Sequence, residues 1–192
     1  MVPSLHNLFS SLSVAGFDFG VDEEEADPFI KDGALVGDCH VPWALITMAD
    51  GSFKEIQFIQ IGDLVLGYTG INTVTNIRTP KLDSKLVSIN NVDYFVSETH
   101  PLLTDMGWGA FNPELLRTQK PNEYNNVVID NEGKDLVTIS EGSMIAYNDG
   151  KQTKFVPVEN NKYKTREDYI VYRLSVTGDK TYIAESYVAH NK

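Results

Sequence analysis

The chain of 192 residues carries one cysteine, Cys39. A single thiol forms no internal disulfide, so burial must hold this fold together. Positive charge is scarce as well: 16 Lys and Arg stand against 27 Asp and Glu, a net charge of −11. Binding a nucleic-acid backbone requires a basic face that displaces counterions, so nucleic acid is not an expected partner. No apolar run approaches the roughly 20 residues that cross a bilayer, which sets a membrane aside too. The opening "MVPSLHNLFSSLSVAGFDFG" lacks the cationic start and unbroken apolar stretch of a secretion signal. A cytoplasmic, reducing compartment is the expectation. The four His and one Cys show no metal-ligand spacing, and nothing else points to a metal or cofactor.

What is present divides at Cys39. Residues 1–38 form an acidic segment, "SVAGFDFGVDEEEADPF" at its heart, broken by Gly and Pro and without a sustained period. It reads as an extended arm, or as a segment that orders on meeting a partner. Residues 39–192 change texture to short runs rich in Val, Ile, Thr and aromatics. Among them are "WALITM", "KEIQFIQI", "KLVSI", "DYFVS", "NVVID", "SMIAY" and "TYIAESYVA", separated by turn signals such as "ADG", "NDG" and "TGD". That pattern predicts an all-β domain. One segment, "NPELLRTQ", reads as a short helix, with Asn112 as its cap and Pro113 at its first position. "IGDLVLGYTG" (61–70) and "EGSMIAYNDG" (141–150) also echo one another at a constant offset of 80. The echo predicts two related β subdomains about a pseudo-two-fold axis.

Three places can do chemistry. Cys39 stands where the arm meets the β domain, His100 lies in "FVSETHPLLT", and His190-Asn191 come at the end. Each alone has a bland reading, as packing, a satisfied histidine or a tail. Together they form the set that a peptide-bond rearrangement needs. The Cys39 thiol can attack the Asp38 carbonyl through a five-membered ring and convert the amide to a thioester. The leaving nitrogen must be protonated, a task for His100 as general acid. Donors must also meet the oxyanion, each worth about 2.7–4 kcal/mol of barrier; Ser97 is placed to supply or shape them. At the other end, the Asn191 side-chain amide can attack its own carbonyl and expel Lys192, with His190 polarising that carbonyl or protonating the leaving amine.

These motifs resemble the Hint family of inteins, bacterial intein-like domains and hedgehog-type autoprocessing domains. The resemblance rests on "CHVPWALITMADGSFKEIQFIQIGDLVLG", "VSETHPLLTDMGWGAF" and "VYRLSVTGDKTYIAESYVAHN", in family order and spacing over residues 39–191. It implies a compact, horseshoe-like all-β disk with pseudo-two-fold symmetry. It assigns catalytic roles to Cys39, Ser97, His100, His190 and Asn191.

The chain departs from the family pattern at four positions. Ser97 replaces the commoner Thr and keeps a hydroxyl. Arg173 stands where splicing inteins usually carry Asp, and Lys180 where the family often has His. The residue after Asn191 is Lys192, which cannot accept an acyl group as Cys, Ser or Thr would. Splicing is therefore not expected. Self-cleavage at Asp38–Cys39 is, with the Asp38 carboxylate able to assist through an anhydride and the arm as the chain's own substrate. The rival expectation is a retired catalyst whose fold serves as a structural module. Its arm would then anchor it to other proteins, as in stand-alone Hint modules of phage type found among virion genes.

Overall fold

The computed structural model describes residues 34–35, 39–82, 84–165 and 170–191. Expectations for the arm (1–38), for Asp38 and for Lys192 fall outside these residues, except at Ala34–Leu35. In chain order the first strands are β1 (Ala34–Leu35), β2 (Leu45–Thr47), β3 (Phe53–Glu55), β4 (Leu64–Leu66) and β5 (Ile71–Arg78). Next come β6 (Lys81–Leu82), β7 (Lys85–Ile89), β8 (Val92–Ser97), β9 (Leu102–Thr104) and β10 (Gly107–Ala110). Two helices follow, α1 (Pro113–Gln119) and α2 (Pro121–Asp130). The chain then returns to β11 (Val137–Thr138), β12 (Met144–Asn148), β13 (Thr153–Pro157) and β14 (Asn161–Thr165). It closes with β15 (Arg173–Val176), β16 (Thr181–Ala184) and β17 (Tyr187–His190).

The architecture is all-β, as the sequence predicts. The largest sheet runs β11-β10-β9-β12-β17-β16-β2-β3, with β13 added on β12 and a further β9–β17 pairing. Three-stranded sheets β14-β7-β8 and β15-β5-β4 and the parallel pair β1-β6 complete it. The last strand lies between β12 and β16 and also touches β9, so all four of its residues are buried. A strand with neighbours on both sides opens less readily than an edge strand.

The 80-residue echo is structural. The Gly62 N–H donates to the Val74 carbonyl, and the Gly142 N–H to that of Val158, both at 2.8 Å. Val74 and Val158 in turn donate to Asp63 and Ser143 at 2.9 and 2.8 Å. Both glycines take positive φ, +94° and +88°, which an L side chain adopts only with strain. The following strands pair alike, β4 on β5 and β12 on β13, burying Val65 and Ile145 completely.

Local readings needed correction in three places. "NVVID" is not a strand but the last half of α2, so the described residues hold two short α-helices, not one. Its β-branched residues favour strand locally, but Tyr124 and Val127 bury one face of a helix against Trp108, Ile183 and Val188 of the sheet. "KEIQFIQI" keeps only the end of β3 before one 3₁₀ turn over Ile56–Phe58. "TYIAESYVA" is two strands, because Glu185 and Ser186 turn the chain with φ of +49° and +69°. This pair forms the two-residue, left-handed hairpin turn usually written Asn-Gly. Glu185 is held by the Leu45 N–H, which donates to its carboxylate at 2.8 Å.

A turn of that conformation carries strain at Ser186 that glycine lacks. Ser186→Gly is expected to stabilise the domain by about 0.5–1 kcal/mol, the relief exceeding glycine's extra unfolded-state entropy. Urea unfolding reads this directly.

Candidate functional site

Cys39 is buried, with 1% of its surface exposed. A reciprocal pair of hydrogen bonds fixes it to the end of β8. The Cys39 N–H donates to the Ser97 hydroxyl at 3.0 Å, and the Ser97 N–H donates to the Cys39 carbonyl at 2.9 Å. Residues 40 and 41 continue the clamp. His40 exchanges backbone bonds with Tyr172 at 2.9 and 2.8 Å, and the Val41 N–H reaches the Phe95 carbonyl at 3.1 Å. The Ser97 hydroxyl lies 3.4 Å from that of Thr99. Ser97 thus contacts the amide nitrogen of Cys39 itself, the atom that leaves if the preceding peptide bond is broken.

From Ser97 the chain makes a tight turn, closed by the His100 N–H on the Ser97 carbonyl at 3.0 Å. His100 is buried, its ring 4.4 Å from the ring of His40 and 6.2 Å from that of Tyr182. Two imidazoles this close in an apolar setting cannot both carry charge. Burial first, and then the His100 charge, hold His40 well below the usual histidine range, while a hydrogen bond with the Phe95 backbone works the other way. His40 is not legible as a site residue, since adjacency to Cys39 does not reveal a ring packed at a tilt against a residue sixty positions away.

The other end of the chain is held by the residue after His100. The His190 N–H donates to the Pro101 carbonyl at 3.0 Å, and the Asn191 N–H to that of Lys180 at 2.8 Å. The Asn191 side-chain nitrogen donates to the Val176 carbonyl at 3.3 Å, and its Oδ1 is buried with no partner among the described residues. The His190 ring stands edge-on to Trp108 and shares a 3.0 Å contact between its Nε2 and Asp130. Lys180 also reaches Asp130, at 3.2 Å. Pro101, His190 and Asn191 line a cleft of about 150 Å³ with Glu123, Asp130, Arg173 and Lys180; Cys39, Ser97 and His100 are not part of its wall. The predicted residues therefore form two adjoining centres, joined through the stretch 97–101. Asp38 lies outside the described residues.

Glu123 and Asp130 escape the sequence reading because only the second half of their helix, "NVVID", is assigned there, and it reads as a strand. They stand on the same stripe of α2 as Val127, one turn to either side. A signal was present: Pro121 with Glu123 two residues on marks a helix start, and "DNEG" a stop. Arg173, where splicing inteins usually carry Asp, pairs with Glu123 at 2.8 Å in a nearly closed setting, and Lys120 meets the same carboxylate at 3.5 Å. Lys180, where the family often has His, pairs with Asp130. Among the described residues no group of three His, Cys, Asp or Glu is arranged to hold a metal ion. No described helix is long and apolar enough to cross a membrane.

No protein-family model matches this chain, and no curated protein does. Solved structures match clearly. The gp41-1 intein shares 20% identity at a TM-score of 0.53, over 81% of this chain and 99% of its own. A DnaB intein from Synechocystis sp. PCC 6803 shares 12% at 0.57, over 81% and 99%. A bacterial intein-like domain from Clostridium thermocellum shares 18% at 0.56, over 82% and 100%. The fold is that of the Hint or intein-like domains.

Three outcomes follow for stability. Glu123→Ala would leave two buried cations without their carboxylate and is expected to cost about 3–5 kcal/mol. Breaking the exposed Glu114–Arg117 pair should cost under about 0.5 kcal/mol in the same denaturation assay. His40 makes the fold acid-labile, because the unfolded chain binds its proton at higher pH than the folded one. Its contribution is complete above the ordinary value of 6.5 and is lost as pH falls below it. The expected slope is about 1.4 kcal/mol per pH unit, and His40→Phe should flatten it.

Proposed function

We propose that this domain cleaves its own backbone at Asp38–Cys39 through a thioester on Cys39. The fold is an autoprocessing type, and the observation that carries the reading is the reciprocal clamp between Cys39 and Ser97. The Cys39 sulfur attacks the Asp38 carbonyl carbon, a tetrahedral oxyanion forms, and the carbon–nitrogen bond breaks. The nitrogen leaves as the α-amine of Cys39 and takes a proton from His100. By accepting the Cys39 N–H, Ser97 sets the plane of that amide and so the direction of the lone pair that appears as the nitrogen pyramidalises. Removing the hydroxyl would leave a buried N–H unsatisfied at a cost of about 1–3 kcal/mol. The thioester then goes to water, helped by the Asp38 carboxylate, or to an external thiol.

The same reading extends to the far end. Asn191 Nδ2 attacks its own carbonyl, closes a succinimide and releases the segment beginning at Lys192. The Val176 carbonyl holds Nδ2, while the unpartnered Oδ1 raises the energy of the resting amide. Lys192 offers no nucleophile for ligation, so the two cleavages stay independent.

A second reading, an interaction module that keeps the fold without the chemistry, is favoured by one feature. Trp43, Phe53, Phe58, Ile61, Leu64 and Ile71 are all about half exposed or more along β2 to β5, a band suited to covering by a protein partner. In that reading the arm docks the domain into an assembly, a virion among the possibilities.

Intact mass separates the two. Loss of the segment before Cys39, hastened by a small thiol and abolished in Cys39→Ala, is the outcome expected of a thioester. A full-length mass that persists through prolonged thiol treatment supports the interaction module and sinks the cleavage reading.

A further inference from the structure

We propose that Asp130, on the helix between the second and third motifs, is the positioning residue for His190 in scission after Asn191. The inference rests on the autoprocessing reading and concerns only its C-terminal step.

A carboxylate accepts hydrogen bonds and does not donate them, so the 3.0 Å contact requires a proton on His190 Nε2. In the neutral ring that leaves the lone pair on Nδ1, the ring nitrogen nearer the backbone and hence nearer the adjoining Asn191 peptide. Asp130 thereby selects the tautomer that can act as base where the reaction occurs. It also favours the imidazolium that forms when His190 takes up a proton. The edge-on indole of Trp108, at 4.9 Å between ring centroids, limits rotation of the ring out of this position.

The step balances without a further reactant. The Asn191 Nδ2–carbonyl bond forms, and the bond from that carbonyl to Lys192 breaks. One proton passes from Nδ2 to His190 Nδ1 and on to the leaving α-amine. The charged groups facing this ring come from two elements beside its own strand. Asp130 lies on α2, and Lys180 lies in the turn before β16, 3.2 Å from the same carboxylate. Glu123 and Arg173 share the cleft but are engaged with each other. Lys180 meets Asp130 through its side chain and accepts the Asn191 N–H at its carbonyl, so one residue links Asn191 to the helix that carries the carboxylate.

The Asp130 side chain is a quarter exposed and ends its helix, so its replacement is compatible with folding. The full-length chain and its Asp130→Ala and Asp130→Glu variants are followed by intact mass, and nitrogen NMR of the imidazole reads the tautomer. The wild type should lose the segment after Asn191 and show His190 with Nε2 protonated. Asp130→Ala should lose that tautomer preference and slow scission by at least roughly 10-fold, part of the roughly 10²- to 10⁴-fold that a positioned acid–base group contributes. Asp130→Glu should restore part of both, with the thermal midpoint of each variant showing that the fold persists. An intact Asn191–Lys192 bond in the wild type overturns the proposal. So does an Asp130→Ala chain with wild-type rate and tautomer. The two ends change the mass by different amounts, so failure at Cys39 is read separately from failure here.

Discussion

The stretch from Ser97 to Pro101 is the constraint on which the rest of this molecule depends. One end of it grips Cys39 through two reciprocal hydrogen bonds, and the other receives the N–H of His190. Residues separated by the length of the domain thus become neighbours of one five-residue turn. The arrangement demands a fold in which the last strand runs into the middle of the sheet. That is why β17 lies among β9, β12 and β16 and not at an edge. Backbone bonds within a sheet resist local opening more than side-chain contacts on a loop do, and a site built on them keeps its geometry.

The two centres differ in how they handle charge. Around Cys39 the surroundings are apolar and close-packed, and burial disfavours a cation on His40 beside His100. In the proposed cleavage the proton for the Cys39 nitrogen would come from His100, which is packed against this buried ring, a demanding setting for a general acid. Around Asn191 the opposite holds: two cations and two carboxylates surround a small cleft. In the proposed reactions, desolvation would limit the first centre and orientation the second.

Much of this was legible in the residues. Alternating short β runs announced the class, and the echo between Gly62 and Gly142 announced the internal repeat, because both glycines occupy positions that side chains resist. Cys39, Ser97, His100, His190 and Asn191 could be singled out by type and order. The hairpin at Glu185-Ser186 was hidden, since nothing in those two residue types advertises a left-handed turn. Helix α2 was hidden because Val127, Val128 and Ile129 look like strand until their packing partners are known. The close packing of the His40 ring against that of His100 required the fold itself.

The departures at Arg173 and Lys180 take on a different meaning once α2 is in place. As isolated substitutions they look like the erosion of a site, since each puts a cation where an anionic or titratable group is expected. A buried guanidinium without a partner would cost several kcal/mol, and an eroding site would not carry one for long. Here Glu123 meets Arg173 and Asp130 meets Lys180, both carboxylates from one stripe of one helix. The cations at Arg173 and Lys180 and the anionic face on the helix therefore explain each other. A structural module needs only the Arg173–Glu123 half of that exchange, which locks α2 to β15. The Asp130 half adds a half-exposed lysine pair of little energetic value and a carboxylate on His190. That second contact has small worth as a brace, and its natural use is to orient the ring beside Asn191.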